Sequence, residues 1–375
     1  MTNPARTELN QKRLADFVRM SRTAGSRSDY VQGGGGNTSC KLDSRLMAIK
    51  ASGFRLDQIA PDNAYAVLDY AAIRAFYENT DPSGLADVEK EGSAQAKAAT
   101  QPISGLPQLR PSVEAGFHSL LDTYVLHTHA IYANLATCAS EGAAIVAQAL
   151  NGLDVGYAFV PYINPGAQLT FAINKACRQA EAATGRKPSL IFMQNHGLVV
   201  TDGDADTCLN LHDEVNERIA AAFQVKAADW PEISLSALPA PANAELWQSE
   251  TPWLQQRLLD TPWDLDLFTR QSLYPDQLVF LSGQVGIMAS GSLADALASG
   301  RGLPAKCTLF SATGEVCCQC GRNEAQTIIE TLCAIFFITR TIRQAGYTLS
   351  TMNEAGKNFI SNWESEKYRH TIAAK

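Results

Sequence analysis

The stretch Gly33-Gly34-Gly35-Gly36-Asn37-Thr38-Ser39 lies between a predicted helix over residues 9–20 and a predicted β-hairpin over residues 39–42 and 46–51. A Rossmann or P-loop motif needs a strand before the glycines and a helix after them, so this order of elements excludes both. Four consecutive glycines let backbone N–H groups converge, and the polar side chains that follow add neutral donors. The stretch therefore favours an oxyanion site, with a flexible turn as the alternative.

Composition narrows the class of protein. The chain has 375 residues, of which 46% are hydrophobic and 18% are charged, which excludes wholesale disorder. The net charge of −7 argues against a nucleic-acid partner. The longest apolar run, residues 332–339, is too short to span a membrane, and residues 1–13 lack the apolar core of a signal peptide. Nine cysteines without a secretory signal predict reduced thiols and a cytoplasmic location.

The hydrophobic pattern predicts a chain of mixed α/β class in two parts. In the first part we expect further strands at 64–68, 124–127, 158–162 and 190–193, helices at 71–79, 112–121, 130–137, 141–150, 165–183 and 204–225, and an exposed polar excursion at 81–101. The segment Leu238-Pro239-Ala240-Pro241-Ala242 is the clearest linker signal. We predict domains over 1–225 and 246–375 with a linker over 226–245. The second, smaller α/β domain should contain strands at 277–281, 307–311 and 315–318 and a helix at 324–345.

Three of the six histidines are placed as metal ligands would be. His127 and His129 are two apart on a predicted strand, so both rings can project from one face. His196 follows a second buried strand. Imidazole nitrogens suit zinc, and three ligands leave a position for substrate. The pattern favours a metal site over a coincidence of packing.

Other titratable residues have weaker signals. Glu114 and His118 are one helical turn apart, and Glu114 is equally a general base beside the metal or a surface carboxylate at a helix start. We expect His118 and His212 to lie behind the ligands or in the core, and His370 to be solvated. Residues 317–320 contain a Cys-x-x-Cys spacing, which we interpret as buried strand cysteines rather than a thiolate metal site.

The candidate anion donors come from three places in the chain. They are the backbone and side chains of Gly36, Asn37 and Thr38, the Ser52-Gly53 pair after a strand, and Ser112 at a predicted helix N-terminus. Each is weak alone, and their joint occurrence ahead of the histidines is more informative.

Through these motifs the chain resembles the class II aldolase/adducin family. That family includes L-fuculose-1-phosphate aldolase, L-rhamnulose-1-phosphate aldolase and L-ribulose-5-phosphate 4-epimerase. The resemblance rests on GGGGNTS, ASG, PSVE, HTHA and NHGLVV in that order between residues 14 and 225. It implies a three-layer fold with a central, mainly antiparallel sheet and helices on both faces. It also implies a homotetramer with active sites between subunits.

The resemblance further implies roles for the matched residues. His127, His129 and His196 would bind a catalytic Zn²⁺, with another divalent ion such as Mn²⁺ as the alternative. Glu114 would be the acid/base carboxylate, and Asn37, Ser52, Gly53 and Ser112 would hold a substrate phosphate. One departure is Val113, which stands where the fuculose-type motif has a second serine.

Segments 275–281 and 363–369 are also similar to the aldolase half of bifunctional rhamnulose-1-phosphate aldolase/alcohol dehydrogenases. The GxGxxG turn of the dehydrogenase half is not found in this sequence, so we expect no nicotinamide chemistry. The predicted function is zinc-dependent cleavage of a rhamnulose- or fuculose-type ketose 1-phosphate to dihydroxyacetone phosphate and an aldehyde. A sugar-phosphate 4-epimerase, a decarboxylase or dehydratase on the same metal, and a non-catalytic adducin-like protein remain alternatives.

Overall fold

The structure, a computed structural model, describes residues 4–240, 244–300 and 302–362, without the side chains of 4–10, 269, 361 and 362. Its helices are α1 (Pro4–Gly25), α2 (Tyr70–Asn79), α3 (Val88–Ala99), α4 (Ala115–Leu120), α5 (Ile131–Thr137), α6 (Gly142–Ala149), α7 (Ala167–Thr184), α8 (Ala205–Ala222), α9 (Pro252–Asp260), α10 (Leu265–Thr269), α11 (Pro275–Leu281), α12 (Leu293–Ala298), α13 (Arg322–Gln344) and α14 (Glu354–Asn362). Its strands are β1 (Asn37–Lys41), β2 (Leu46–Lys50), β3 (Tyr65–Asp69), β4 (Thr100–Gln101), β5 (Tyr124–Thr128), β6 (Gly156–Val160), β7 (Pro188–Met193), β8 (Gly197–Asp202), β9 (Leu235–Leu238), β10 (Leu246–Ser249), β11 (Val285–Met288), β12 (Cys307–Phe310) and β13 (Val316–Cys318).

The larger sheet has eight strands in the order β4-β3-β2-β1-β5-β8-β7-β6. Every neighbouring pair is antiparallel except β6 and β7, which run parallel. Strand β5 lies inside the sheet between β1 and β8, with His127 opposite Asn37 on one side and Val199 on the other. This register places His127 in a central strand, with His129 just beyond the end of that strand.

Helices cover both faces of this sheet, which makes the predicted three-layer α/β fold. Because side chains alternate along a strand, Val125 and Leu126 face opposite layers. Val125 packs with Phe117 and Leu169 from α4 and α7. Leu126 belongs to the core cluster that also includes residues of α1, α5 and α8. The fold class is therefore as predicted.

The second sheet has five strands in the order β11-β12-β13-β10-β9, with β11 and β12 parallel and the other pairs antiparallel. Helix α13 packs on α5, α9, α11 and β10, and so lies between this sheet and the larger one. Its side chains belong to the same apolar cluster as the core of the first part. The predicted domain bounds stay a prediction, and strand β9 falls within the predicted linker.

Several predicted elements need correction. The apolar run at 277–281 is helix α11 rather than a strand, since Pro275 stands at its first position and the helix is buried all round. The polar excursion at 81–101 contains helix α3. Strand β8 was not expected, because it begins at Gly197 directly after a turn, and glycine is a weak strand signal. Helix α4 begins at Ala115, three residues later than expected.

Helix α13 is the single helix of the described ranges that is long and apolar enough to cross a membrane by length and composition. Of its apolar window 89% is buried inside the protein, as in a core helix. His370 and segment 363–369 lie outside the described residues.

Candidate metal centre and anion subsite

The three predicted histidines come together where β5 ends and β8 begins. His127 lies in β5, His129 follows its end, and His196 occupies the turn between β7 and β8. Since β5 and β8 are antiparallel neighbours, the end of β5 and the start of β8 lie side by side at one end of these two central strands. One nitrogen from each ring lies within 4.8 Å of the other two, and all three residues are buried.

Hydrogen bonds orient two of the rings. His127 Nδ1 donates to the Leu198 carbonyl at 3.0 Å, and His129 Nδ1 donates to Asp276 Oδ2 at 2.5 Å. Their Nε2 atoms are then left facing each other at 3.3 Å. Tetrahedral zinc, with bonds of about 2.0–2.1 Å, places its nitrogen ligands roughly 3.3 Å apart. The donor set therefore fits a divalent cation.

Local backbone strain places His196. The preceding residue, Asn195, has φ +52°, in the left-handed region that asparagine tolerates better than most residues. Its side-chain amide donates to the carbonyls of Leu273 and Ser350, both at 2.9 Å. Gly197 follows with no room for a Cβ, because the Thr128 carbonyl lies against it. Burial lowers the pKa of His196 to about 3, although the nearby Glu114 carboxylate opposes this shift.

Glu114 reaches the same point from the start of helix α4. Its Oε2 lies 3.5 Å from His127 Nε2, and its Oε1 lies 3.3 Å from His196 Nε2. The Asn37 amide donates to Oε2 at 2.5 Å, while buried Oε1 has no hydrogen-bond partner in the described ranges. Burial raises the pKa of Glu114, but the neighbouring rings and the Asn37 amide outweigh it and lower that pKa to about 2. Glu114 is therefore an ionised carboxylate held against the histidines.

The other two described histidines lie behind this cluster. His118 contacts Asn37 Oδ1 through Nε2 and Ser39 Oγ through Nδ1, and burial lowers its pKa well below the usual range. His212 contacts Thr128 Oγ1 at 2.7 Å on the opposite face of β5. Neither offers a ring nitrogen to the cluster.

Two of the predicted anion donors, Asn37 and Ser112, lie beside Glu114, and Ser52 is joined to the segment that carries Ser112. Ser112 Oγ accepts from the Asn37 amide at 3.0 Å, and the Ser52 backbone N–H donates to Arg110 O at 2.8 Å, which joins the two segments. The Ser52 hydroxyl is buried without a hydrogen-bond partner among described residues. Gly53 has φ +90°, a conformation that glycine adopts freely.

Thr38 is the exception among these donors. Because it alternates with Asn37 along β1, its side chain lies on the other face of the sheet. Its hydroxyl contacts Ser21 Oγ at 2.7 Å. Thr38 therefore brings no side-chain donor to the group.

Gly36, within the glycine loop, and Lys50, which contacts the loop, fix its conformation. Gly36 has φ +63°, and a Cβ there would lie 2.5 Å from the His127 carbonyl. Lys50, which the sequence analysis did not single out, is buried and donates to the carbonyls of Gly34 at 2.9 Å and Phe54 at 2.6 Å. This lysine ties the loop to the turn that carries Ser52, and only the fold reveals that contact.

A cavity of about 610 Å³ adjoins this subsite. Ser112 and Val113 form part of its wall, immediately before Glu114 in the chain. Lys97 and Arg110 also line it, and so does Glu89. The cavity therefore carries two basic side chains close to the predicted anion donors.

Comparison with known proteins identifies the family. Residues 15–223 match the sequence model of the class II aldolase and adducin N-terminal domain. The chain belongs to the class II aldolase and adducin family. The match ends before β9, so Asp276 and the rest of the C-terminal region lie outside it.

Three solved structures are similar to part of this chain. The N-terminal class II aldolase domain of a Thermoplasma acidophilum protein is 22% identical over 55% of this chain and 91% of that chain, with a TM-score of 0.45. An L-fuculose 1-phosphate aldolase is 16% identical over 56% and 84%, with a TM-score of 0.37. An L-fuculose-1-phosphate aldolase from Thermus thermophilus is 12% identical over 57% and 95%, with a TM-score of 0.34. The curated proteins contain no match to this chain.

Proposed function

We propose that this class II aldolase family member is a metal-dependent lyase that cleaves a rhamnulose- or fuculose-type ketose 1-phosphate into dihydroxyacetone phosphate and an aldehyde. The observation that carries the proposal is the convergence of three imidazole nitrogens and one ionised carboxylate at the ends of two central strands, β5 and β8. A retro-aldol reaction needs that combination, since charge develops on a ketone oxygen while a proton moves nearby.

His127, His129 and His196 would hold the cation. An all-imidazole set suits Zn²⁺, with Mn²⁺ as the alternative. When bound, the ion would supply Lewis-acid stabilisation of the charge on the substrate ketone oxygen.

Glu114 would move the proton. The Asn37 amide holds its Oε2, which leaves Oε1 directed at the histidines with no protein donor among the described residues. An ionised carboxylate can accept a proton from a substrate carbon or hydroxyl.

The substrate phosphate would bind beside Glu114. Support comes from the Ser52 hydroxyl, which is buried and lacks a partner among described residues, and from Ser112, which lines the adjoining cavity. Asn37 holds Ser112 and Glu114 in place, and Gly53 follows Ser52 in the same turn. Lys97 and Arg110 in the adjoining cavity add positive charge. Holding the remote phosphate orients the reacting carbons relative to the cation and Glu114. The homotetramer that the family resemblance implies stays a prediction.

The test is a screen of ketose 1-phosphates and pentulose phosphates for release of free aldehyde. We expect one ketose 1-phosphate to release aldehyde, chelation to abolish the reaction, and Zn²⁺ to restore it. His127→Ala should lose both the bound ion and the activity, whereas His212→Gln, on the opposite face of β5, should keep the ion. Conversion of a pentulose phosphate without free aldehyde would instead favour the 4-epimerase, and a wild-type protein that binds no divalent ion would contradict the proposal.

A further inference from the structure

The C-terminal region supplies a carboxylate to the histidine cluster. Asp276 lies in the first turn of α11, is fully buried, and accepts a hydrogen bond from His129 Nδ1 at 2.5 Å. The family match ends at residue 223, so this carboxylate comes from a part of the chain that the match does not include.

We propose that Asp276 is a positioning residue for the metal ligand His129, so that the C-terminal region completes the metal centre. The inference rests on the metal centre proposed above. A proton held on Nδ1 by a carboxylate places the ring's lone pair on Nε2, where it can bind a cation. The carboxylate also fixes the ring plane and makes Nε2 more basic.

Neighbouring contacts fix the start of helix α11, which carries Asp276. The Gln277 side chain accepts from the Leu273 N–H at 2.8 Å and donates to the Leu267 carbonyl at 2.7 Å, which fixes the start of α11. The Leu273 carbonyl in turn accepts from Asn195, beside His196. The segment that carries Asp276 is thus connected to two of the three ligand positions.

The glycine loop leaves room for this contact. A Cβ at Gly35 would overlap Asp276 Oδ2 and would lie 2.9 Å from His129 Nδ1, so only glycine lets the two groups meet. Gly34 differs, because the nearest atom to its Cβ would be the Phe54 carbonyl at an ordinary 3.6 Å. Neither residue has a positive φ, so alanine at both positions tests steric overlap alone.

The experiment measures Zn²⁺ affinity of the full chain by competition with a chromophoric chelator, together with the visible spectrum of the Co²⁺-loaded protein. We expect Asp276→Ala to weaken Zn²⁺ binding by about 10- to 100-fold, the range typical of partners that orient a metal ligand. Asp276→Asn keeps an acceptor for the Nδ1 proton and should rescue part of that loss. Gly35→Ala should weaken binding and change the Co²⁺ spectrum, and Gly34→Ala should do neither.

Thermal unfolding of each metal-free variant separates a positioning role from a structural one. A purely structural Asp276 would lower the unfolding temperature and leave the affinity of the folded protein unchanged. Zn²⁺ affinity within twofold of wild type in Asp276→Ala overturns the inference. If that variant does not fold, the same result in Gly35→Ala overturns it.

The two proposals fail in different ways. A wild-type protein without a stoichiometric ion, or a His127→Ala variant that keeps one, contradicts the metal centre itself. An ion that depends on His127 and is indifferent to both Asp276 and Gly35 contradicts the positioning role of Asp276 alone.

Discussion

The Glu114 carboxylate shows how neighbours at atomic distance decide the state of one side chain. Burial raises its pKa, but three imidazole rings and the Asn37 amide outweigh that effect and lower the pKa to about 2. Its sequence position at a helix start was equally compatible with a surface carboxylate. The contact that distinguishes the buried site residue from a surface carboxylate comes from far away in the chain. Asn37, 77 residues before Glu114, donates directly to its carboxylate.

Glu114→Gln tests the proton-transfer role. The amide keeps the shape of the side chain but cannot accept a proton, so we expect the aldehyde-release rate to fall by about 10²–10⁴-fold. Elemental analysis should still find the ion, because the histidines remain. Glu91→Gln, on the exposed side of α3, serves as the control. Turnover equal to wild type would contradict the assignment.

Lys41 is a second buried ionisable group. Its ammonium nitrogen donates to the carbonyls of His118 at 2.9 Å and Asp122 at 2.5 Å. Burial, with the nearby Arg74 cation, lowers the pKa of Lys41 from 10.5 to about 7. Between these two values the unfolded chain binds a proton that the folded chain does not, so stability should rise with pH across that window.

Lys41→Met removes this titration. We expect the free energy of unfolding of the wild type to increase from pH 7 towards pH 10 by up to roughly 1.4 kcal/mol per pH unit relative to the variant. Urea unfolding at several pH values measures the difference. Exposed Lys12→Met should show the wild-type dependence. Parallel curves for wild type and Lys41→Met would contradict the prediction.

At the scale of an element, the N-terminus of helix α7 is capped by a side chain from another helix. Its N-cap residue is Gly166, which has no side chain. Glu89 of α3 accepts instead from the N–H groups of Ala167 at 2.8 Å and Gln168 at 2.9 Å. A carboxylate at this end satisfies unpaired donors and complements the helix dipole.

Glu89→Ala should therefore destabilise the protein. Loss of the cap should lower the free energy of unfolding by about 1–2 kcal/mol, as for other N-cap removals. Chemical denaturation measures this change. The exposed residue Glu91 on the same helix provides a matched control, since Glu91→Ala should change stability by less than about 0.5 kcal/mol. Equal effects of the two substitutions would rule out the cap.

At the scale of the molecule, the two parts of the chain share one apolar core. Phe337 of α13 packs against Tyr132 of α5 and against Trp230 and Trp253, with ring centroids 6.2, 5.8 and 6.3 Å apart. A shared core of this kind couples the two sheets. We therefore expect them to unfold in one transition, although the predicted linker separates them in sequence.

Phe337→Ala tests this coupling. The cavity should lower the free energy of unfolding by about 3–5 kcal/mol, and the whole transition should move together. Calorimetry and circular dichroism at the same protein concentration should report coincident midpoints. Leu297→Ala, at a position 39% exposed in the second part, should leave the midpoint nearly unchanged. Two separate transitions would support independently folding domains at the predicted bounds.

The sequence alone predicted the features that depend on local periodicity and spacing. The hairpin of β1 and β2, the class of fold and the candidate ligands His127, His129 and His196 all follow from such patterns, because alternation and glycine breaks act over a few residues. The family match confirms the resemblance to class II aldolases. The roles of the site residues were inferred from that resemblance.

Tertiary structure alone decided which distant groups touch. The periodicity of the apolar run 277–281 fits a strand or a buried helix equally well, and only the fold shows that this segment is a helix that brings Asp276 to His129. Only the fold shows that Lys50 donates to the glycine loop. Likewise, only the fold shows that the Thr38 side chain lies on the face of β1 away from the anion donors. Contacts between segments far apart in the chain depend on strand order and helix docking, and neither is encoded in local patterns.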